Sequence, residues 1–145
     1  MKLRHSIKQL IHNGSVVIAC GGGGIPVVER SDGSIKGVEA VIDKDYASRL
    51  LASEIGAKVF VITTDVDKAA INYGKKEQQW LSRVSVEELM AYRLDGHFPD
   101  GNMGPKVDAA IGFVQDGGNM SIITNIDNLA ASVKGEAGTL VRVNG

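Results

Sequence analysis

Asp43-Lys44-Asp45-Tyr46-Ala47-Ser48-Arg49-Leu50-Leu51-Ala52-Ser53-Glu54-Ile55-Gly56-Ala57-Lys58-Val59-Phe60-Val61-Ile62-Thr63-Thr64-Asp65 changes its period halfway along. In the first half Ala47, Leu50, Leu51 and Ile55 form one helical stripe, Asp43 supplies a capping side chain, and Gly56 is a residue that ends helices. In the second half Val59-Phe60-Val61-Ile62 is an unbroken apolar run of strand length, the pattern of a strand covered on both faces. Polar Thr63-Thr64-Asp65-Val66-Asp67 follows at once. A helix feeding a doubly buried strand is the repeating unit of a parallel α/β sheet, and in such sheets ligands gather beyond the carboxyl ends of the strands.

The same unit recurs on either side. Upstream, Ile7, Leu10 and Ile11 predict a short amphipathic helix ending at Gly14, and Val16-Val17-Ile18-Ala19 a second doubly covered strand, broken by Gly21-Gly22-Gly23-Gly24. Ile25 to Val28, the turn Ser31-Asp32-Gly33-Ser34 and Val38 to Val41 read as a small β-hairpin. Downstream, the chain is polar and turn-rich through Tyr73-Gly74-Lys75-Lys76. Ser85-Val86-Glu87-Glu88 is then a capping box that opens a helix to about Leu94. A loop from Asp95 to Gly104 precedes Pro105, which suits the first position of a helix. Val107, Ala110, Ile111 and Val114 give that helix one buried face, and Gly117-Gly118 ends it. Ser121 to Thr124 is a third strand, Asp127 to Val133 a short helix, and Thr139 to Val143 a last strand. Nothing divides residues 1–145, so the expectation is a single α/β domain: a three-layer α/β/α arrangement with a mainly parallel sheet, plus the hairpin. The glycine run, Thr64-Asp65 and Asn125-Ile126-Asp127 all follow predicted strands and should share one rim.

Composition narrows the function. A length of 145 residues with 43% hydrophobic and 23% charged residues suits one domain with a real core. The net charge of −1 gives no basic field for nucleic acid, and Trp80, Phe98 and Phe113 are too scattered for a stacking platform. The apolar runs are too short to span a bilayer, and no long apolar stretch follows Met1-Lys2-Leu3-Arg4-His5-Ser6, so neither a membrane span nor a signal peptide is expected. The single cysteine, Cys20, has no internal disulfide partner and fits a reducing cytoplasm. One cysteine and three scattered histidines give no zinc-ligand spacing.

Five features could carry chemistry. Gly21, Gly22, Gly23 and Gly24 leave a row of backbone N–H groups unshielded, either an anion cradle or a flexible turn. Ile25 and Pro26 stand where a P-loop would continue, and Pro26 with Val27 rules out a dinucleotide fingerprint. Lys44 lies at a helix start, the unfavourable end for a cation unless an anion compensates; plain capping by Asp43 and Asp45 is the alternative. Lys106 follows Pro105 in a first turn too, and a phosphate bound there would gain its ammonium and the free N–H groups. Gly101-Asn102-Met103-Gly104 in front would allow close approach, and a solvated surface lysine is the alternative. Asp65 and Asp67 suit ribose hydroxyls, magnesium or simple strand termination. The lone His97 is either a general base or structural.

Together these segments resemble carbamate kinases, of the amino-acid kinase family. The resemblance rests on Val17 to Val27, on Gly37 to Asp45, on Thr63 to Lys68, on Asn72-Tyr73-Gly74-Lys75, and on His97-Phe98-Pro99 with Gly101 to Val107. It implies reversible phosphoryl transfer between ATP and carbamate, giving ADP and carbamoyl phosphate with Mg2+, in arginine metabolism. By that resemblance Lys44 and Lys106 contact the phosphates, Asp45 orients those lysines, and Gly21 to Gly24 form a substrate or phosphate loop. Thr64, Asp65, Val66, Tyr73, Met103 and Gly104 hold the nucleotide, and no residue is assigned as a direct metal ligand. Cys20 and Asn102 stand where small hydroxyl residues are expected. Family members are much longer, so the resemblance implies a C-terminal half whose partner is a complementary N-terminal half or, since carbamate kinases form homodimers, a second copy. The competing expectation is a non-catalytic nucleotide-binding module or a truncated relic of the amino-acid kinase family.

Overall fold

The computed structural model describes residues 1–144. In chain order the elements are α1 (Arg4–His12), β1 (Val27–Glu29), β2 (Ile35–Gly37), α2 (Lys44–Ile55), β3 (Val59–Thr63), β4 (Ala70–Ile71), β5 (Gln79–Trp80), β6 (Arg83–Ser85), α3 (Val86–Leu94), α4 (Met103–Gln115), β7 (Met120–Thr124), α5 (Leu129–Val133) and β8 (Thr139–Arg142).

Local chemistry sets the helix ends. Asp43 accepts hydrogen bonds from the N–H groups of Asp45 and Tyr46, and Gly56 closes α2 in the left-handed conformation. The capping box at α3 forms in both directions: Ser85 Oγ accepts from Glu88 N–H, and the Glu88 carboxylate accepts from Ser85 N–H. α4 is apolar around most of its circumference. Apart from Pro105 and Asp108, every residue from Gly104 to Val114 is buried, because α2, α3 and the sheet enclose the helix.

The central sheet has the order β3-β7-β8-β6. β3 lies parallel to β7 with Val59 opposite Met120 and Thr63 opposite Thr124, β8 runs antiparallel to β7, and β6 runs parallel to β8. α2, α3 and α4 layer one face around Val107, Ala110, Phe113 and Ile123; α5 and the turn after it meet the other, where Met120, Ile122 and Leu140 are buried. The expected three-layer α/β fold with a mainly parallel sheet is present, and β1 and β2 form the separate hairpin.

The parts that differ have a common cause. Val16 to Ala19 is not a strand: among the described residues it belongs to no ladder, and Val16 and Ile18 are each 96% exposed. A strand exists only as a pairing, and an apolar run without a neighbour cannot satisfy its backbone in one. β3 is an edge strand, so Val59 is partly exposed instead of covered on both faces. Leu10, Ile11 and Leu50, expected to be inward, also lie open, and the hairpin returns over residues 35–37, not 38–41. α4 starts at Met103, which makes Pro105 its third residue, since the loop before it supplies the first turn. β6, which the sequence pattern does not mark as a strand, joins the central sheet through a parallel ladder with β8 in which Val84 is buried opposite Val141.

Candidate functional site

α2 precedes β3, α4 precedes β7, and β3 and β7 are parallel, so the two helices start at the same rim, beyond the carboxyl ends of those strands. There Lys106 Nζ donates to Asp45 Oδ2 at 2.9 Å, with only 11% and 13% of the two side chains exposed. The lysine is therefore neither a solvated surface residue nor free. An ammonium has three N–H donors, one of which is used here. Asp45 thus fixes Lys106 while leaving it capacity to bind an anion. Lys44, next in the chain, is exposed.

The glycine run reaches the same place. Gly23 is buried at φ +86°, and a Cβ there would lie 2.0 Å from the carbonyl oxygen of Ile42, just ahead of the α2 cap. Only glycine permits this contact. Gly21, Gly22 and Gly24 remain exposed, so the loop is pinned by one glycine and open at three. Cys20 enters it at φ 62° with its thiol 3.8 Å from the Ala47 carbonyl, and burial pushes that thiol's pKa up.

A second set lines the rim from the sheet side. Thr64 N–H donates to Thr124 O at 2.8 Å and extends the β3–β7 ladder by one bond; Asp65 and Val66 follow it. Asp67 is tied down: its Oδ1 accepts from Asn128 Nδ2 at 2.8 Å and from Thr124 Oγ1 at 3.3 Å, which locks the loops after β3 and β7 together. Met103 packs on the main core, and Gly104 is buried one residue further on, so both sets share the first turns of α4. Tyr73 is exposed, and its ring meets Trp80 edge-on with centroids 6.2 Å apart. His97 Nδ1 accepts from Asn72 N–H at 3.4 Å and its ring lies against Tyr92, the structural of its two expected roles.

The helix start is less open than expected. Gly104 N–H donates to Pro99 O at 2.9 Å, Asn102 N–H reaches the same carbonyl at 3.4 Å, and Pro105 has no N–H. Arg93, Asp108 and Asn128 escaped the sequence reading. Each is an ordinary surface residue until the fold brings its partner close, and the only local signal was a basic side chain in the last turn of α3. Among the described residues no group of three or more His, Cys, Asp and Glu could hold a metal ion, and no helix is long and apolar enough to cross a membrane.

The chain is similar to known proteins along nearly its whole length. The carbamate kinase of Thermococcus kodakarensis is 52% identical over 93% of this chain and 42% of its own length. The carbamate kinase-like protein YahI of Escherichia coli is 49% identical over 92% of this chain and 42% of its length. Carbamate kinase from Giardia lamblia bound to AMP-PNP superposes with a TM-score of 0.93 at 44% identity, covering 97% of this chain and 49% of that one. The chain thus spans less than half the length of these relatives. The model of the amino acid kinase family matches residues 3–125, and the chain belongs to that family.

Proposed function

We propose that this chain is the nucleotide-binding, C-terminal part of a phosphotransferase that moves a phosphoryl group reversibly between ATP and carbamate. The observation that carries the reading is the Lys106–Asp45 pair, nearly buried at the rim where Gly23 docks and Lys44 begins α2. Phosphoryl transfer asks a protein chiefly for position and for positive charge around the moving group. Lys106 offers its remaining N–H donors to a phosphate oxygen, Asp45 keeps it aimed, and Lys44 adds a second ammonium from the same rim. Thr64, Asp65, Val66, Tyr73 and Met103 hold the adenosine side, with Gly104 at the junction. Magnesium needs few protein ligands when phosphates and water complete its shell, so this set suits an ion delivered with the nucleotide. No nucleophilic side chain is required.

The span of less than half of the relatives supports a second reading, a module that binds nucleotide without turning it over. Turnover with and without an added N-terminal half separates the two. The binding core of the proposal is tested by calorimetry. Wild-type chain binds Mg2+-ADP, and Lys106→Ala weakens ATP and ADP by about 1.5–3 kcal/mol, a charged hydrogen bond, while adenosine is hardly affected. Equal losses for all three ligands would show that Lys106 only supports the fold, and no binding of ADP by the wild type at millimolar concentration would sink the reading.

The open apolar run points to partners as well. Val16 and Ile18, and separately the edge of β3 that is unpaired among the described residues, suit pairing with a complementary N-terminal half or self-association with a second copy. The unpaired thiol of Cys20 suits a reducing cytoplasm.

A further inference from the structure

Arg93, in the last turn of α3, spends its guanidinium on both sides of the rim loop. Nε and Nη2 form a fork on Asp108 of α4 at 2.9 and 3.1 Å, Nη1 donates to the Phe98 carbonyl at 3.1 Å, and Nη2 also reaches Asp100. Phe98 is only 2% exposed, so its carbonyl is a fixed point, and Pro99 beside it receives the Gly104 and Asn102 N–H groups. A Cβ on Gly104 would lie 2.8 Å from Pro99 O and 3.1 Å from Arg93 Nη2, so the loop closes against α4 with no room to spare. Asp108, the far anchor of the fork, is two residues beyond Lys106.

We propose that Arg93 is a positioning residue for the phosphate side of the site, a clamp that sets the register of the 98–102 loop on α4 and hence the aim of Lys106. Asp45 holds the tip of the lysine from α2; Arg93 holds the helix start and its loop from α3. Lysine could not replace it, because an ammonium cannot fork onto one carboxylate while also holding a carbonyl. The proposal rests on the nucleotide reading given above.

The test is calorimetry of Mg2+-ADP and adenosine on the full wild-type chain, on Arg93→Lys and on Asp100→Ala, with thermal melts beside it. Arg93→Lys keeps the charge and loses the fork. We expect ADP affinity to fall about tenfold, the effect of one charged hydrogen bond, with adenosine affinity within about twofold. Asp100→Ala, whose side chain is 88% exposed, leaves the Asp108 fork intact and should weaken ADP about threefold, the scale of an exposed ion pair. Unchanged ADP affinity in a folded Arg93→Lys, or an equal loss of ADP and adenosine, overturns the proposal while leaving the nucleotide reading standing. Should Arg93→Lys not fold, Asp100→Ala decides: unchanged ADP affinity there overturns it too. A wild-type chain that binds no ADP removes the nucleotide reading and the clamp together.

Discussion

The body built from α2 to β8 and the stretch from Ser15 to Ile42 have similar apolar vocabularies and opposite fates. In the body, Val107, Phe113, Ile122, Ile123 and Val141 are completely buried. In the stretch, Val16, Ile18, Ile25 and Val41 are each at least 86% exposed. The difference is not hydrophobicity. Each body segment finds a neighbour within the chain: β7 lies between β3 and β8, and α4 between two helices and the sheet. The Val16 to Ala19 run finds none among the described residues. Burial therefore follows from partners, and an apolar run without one becomes a surface that seeks association.

The comparison can be broken most forcefully in the body. Phe113 is fully buried and packs on Phe60 with ring centroids 5.4 Å apart. Phe113→Ala should cost about 3–5 kcal/mol, measured by urea unfolding. A loss under about 1 kcal/mol would mean that the helical layer is not the stabilising centre.

The cap of α3 should matter less. Ser85→Ala removes the hydroxyl that accepts from Glu88 N–H and should cost about 1 kcal/mol. The Glu88 carboxyl is held below its usual range, first by Ser85 N–H and then by the Ser85 hydroxyl. A carboxyl depressed in the folded state stabilises above its ordinary pKa and loses that contribution as pH falls through the depressed value. Thermal melts across the acid range should therefore show the wild type losing more stability than Ser85→Ala. Parallel pH profiles would show that the Ser85 hydroxyl contributes no linkage.

The smallest effect on folding should come from the exposed run. Ile18→Ser should change stability by no more than about 0.5 kcal/mol, because the side chain leaves no cavity. It should nonetheless lower the tendency of the chain to self-associate, read by sedimentation over a range of concentrations with dye binding for exposed apolar surface. A wild-type chain that sediments as one monomer and stays dye-silent would refute the idea that this surface seeks a partner.

Much of the architecture could be read from local patterns. The capping box at Ser85, the cap at Asp43, the stop at Gly56 and the buried face of α4 involve residues within a few positions of one another, so short-range chemistry decides them. The candidate lysines stood out for the same reason: a cation in a first helical turn conflicts with the local dipole and asks for a compensating group. What compensates Lys106 is Asp45, 61 residues away, and no periodicity links the two. The fork from Arg93 to Asp108, the docking of Gly23 on Ile42, the edge position of β3 and the place of β6 in the sheet have the same character. Sequence by itself determined which segments could be helices or strands and which side chains sat uneasily where they were. Tertiary structure alone decided which segments found partners, because pairing and burial are properties of two surfaces brought together by the whole chain and are written in neither one.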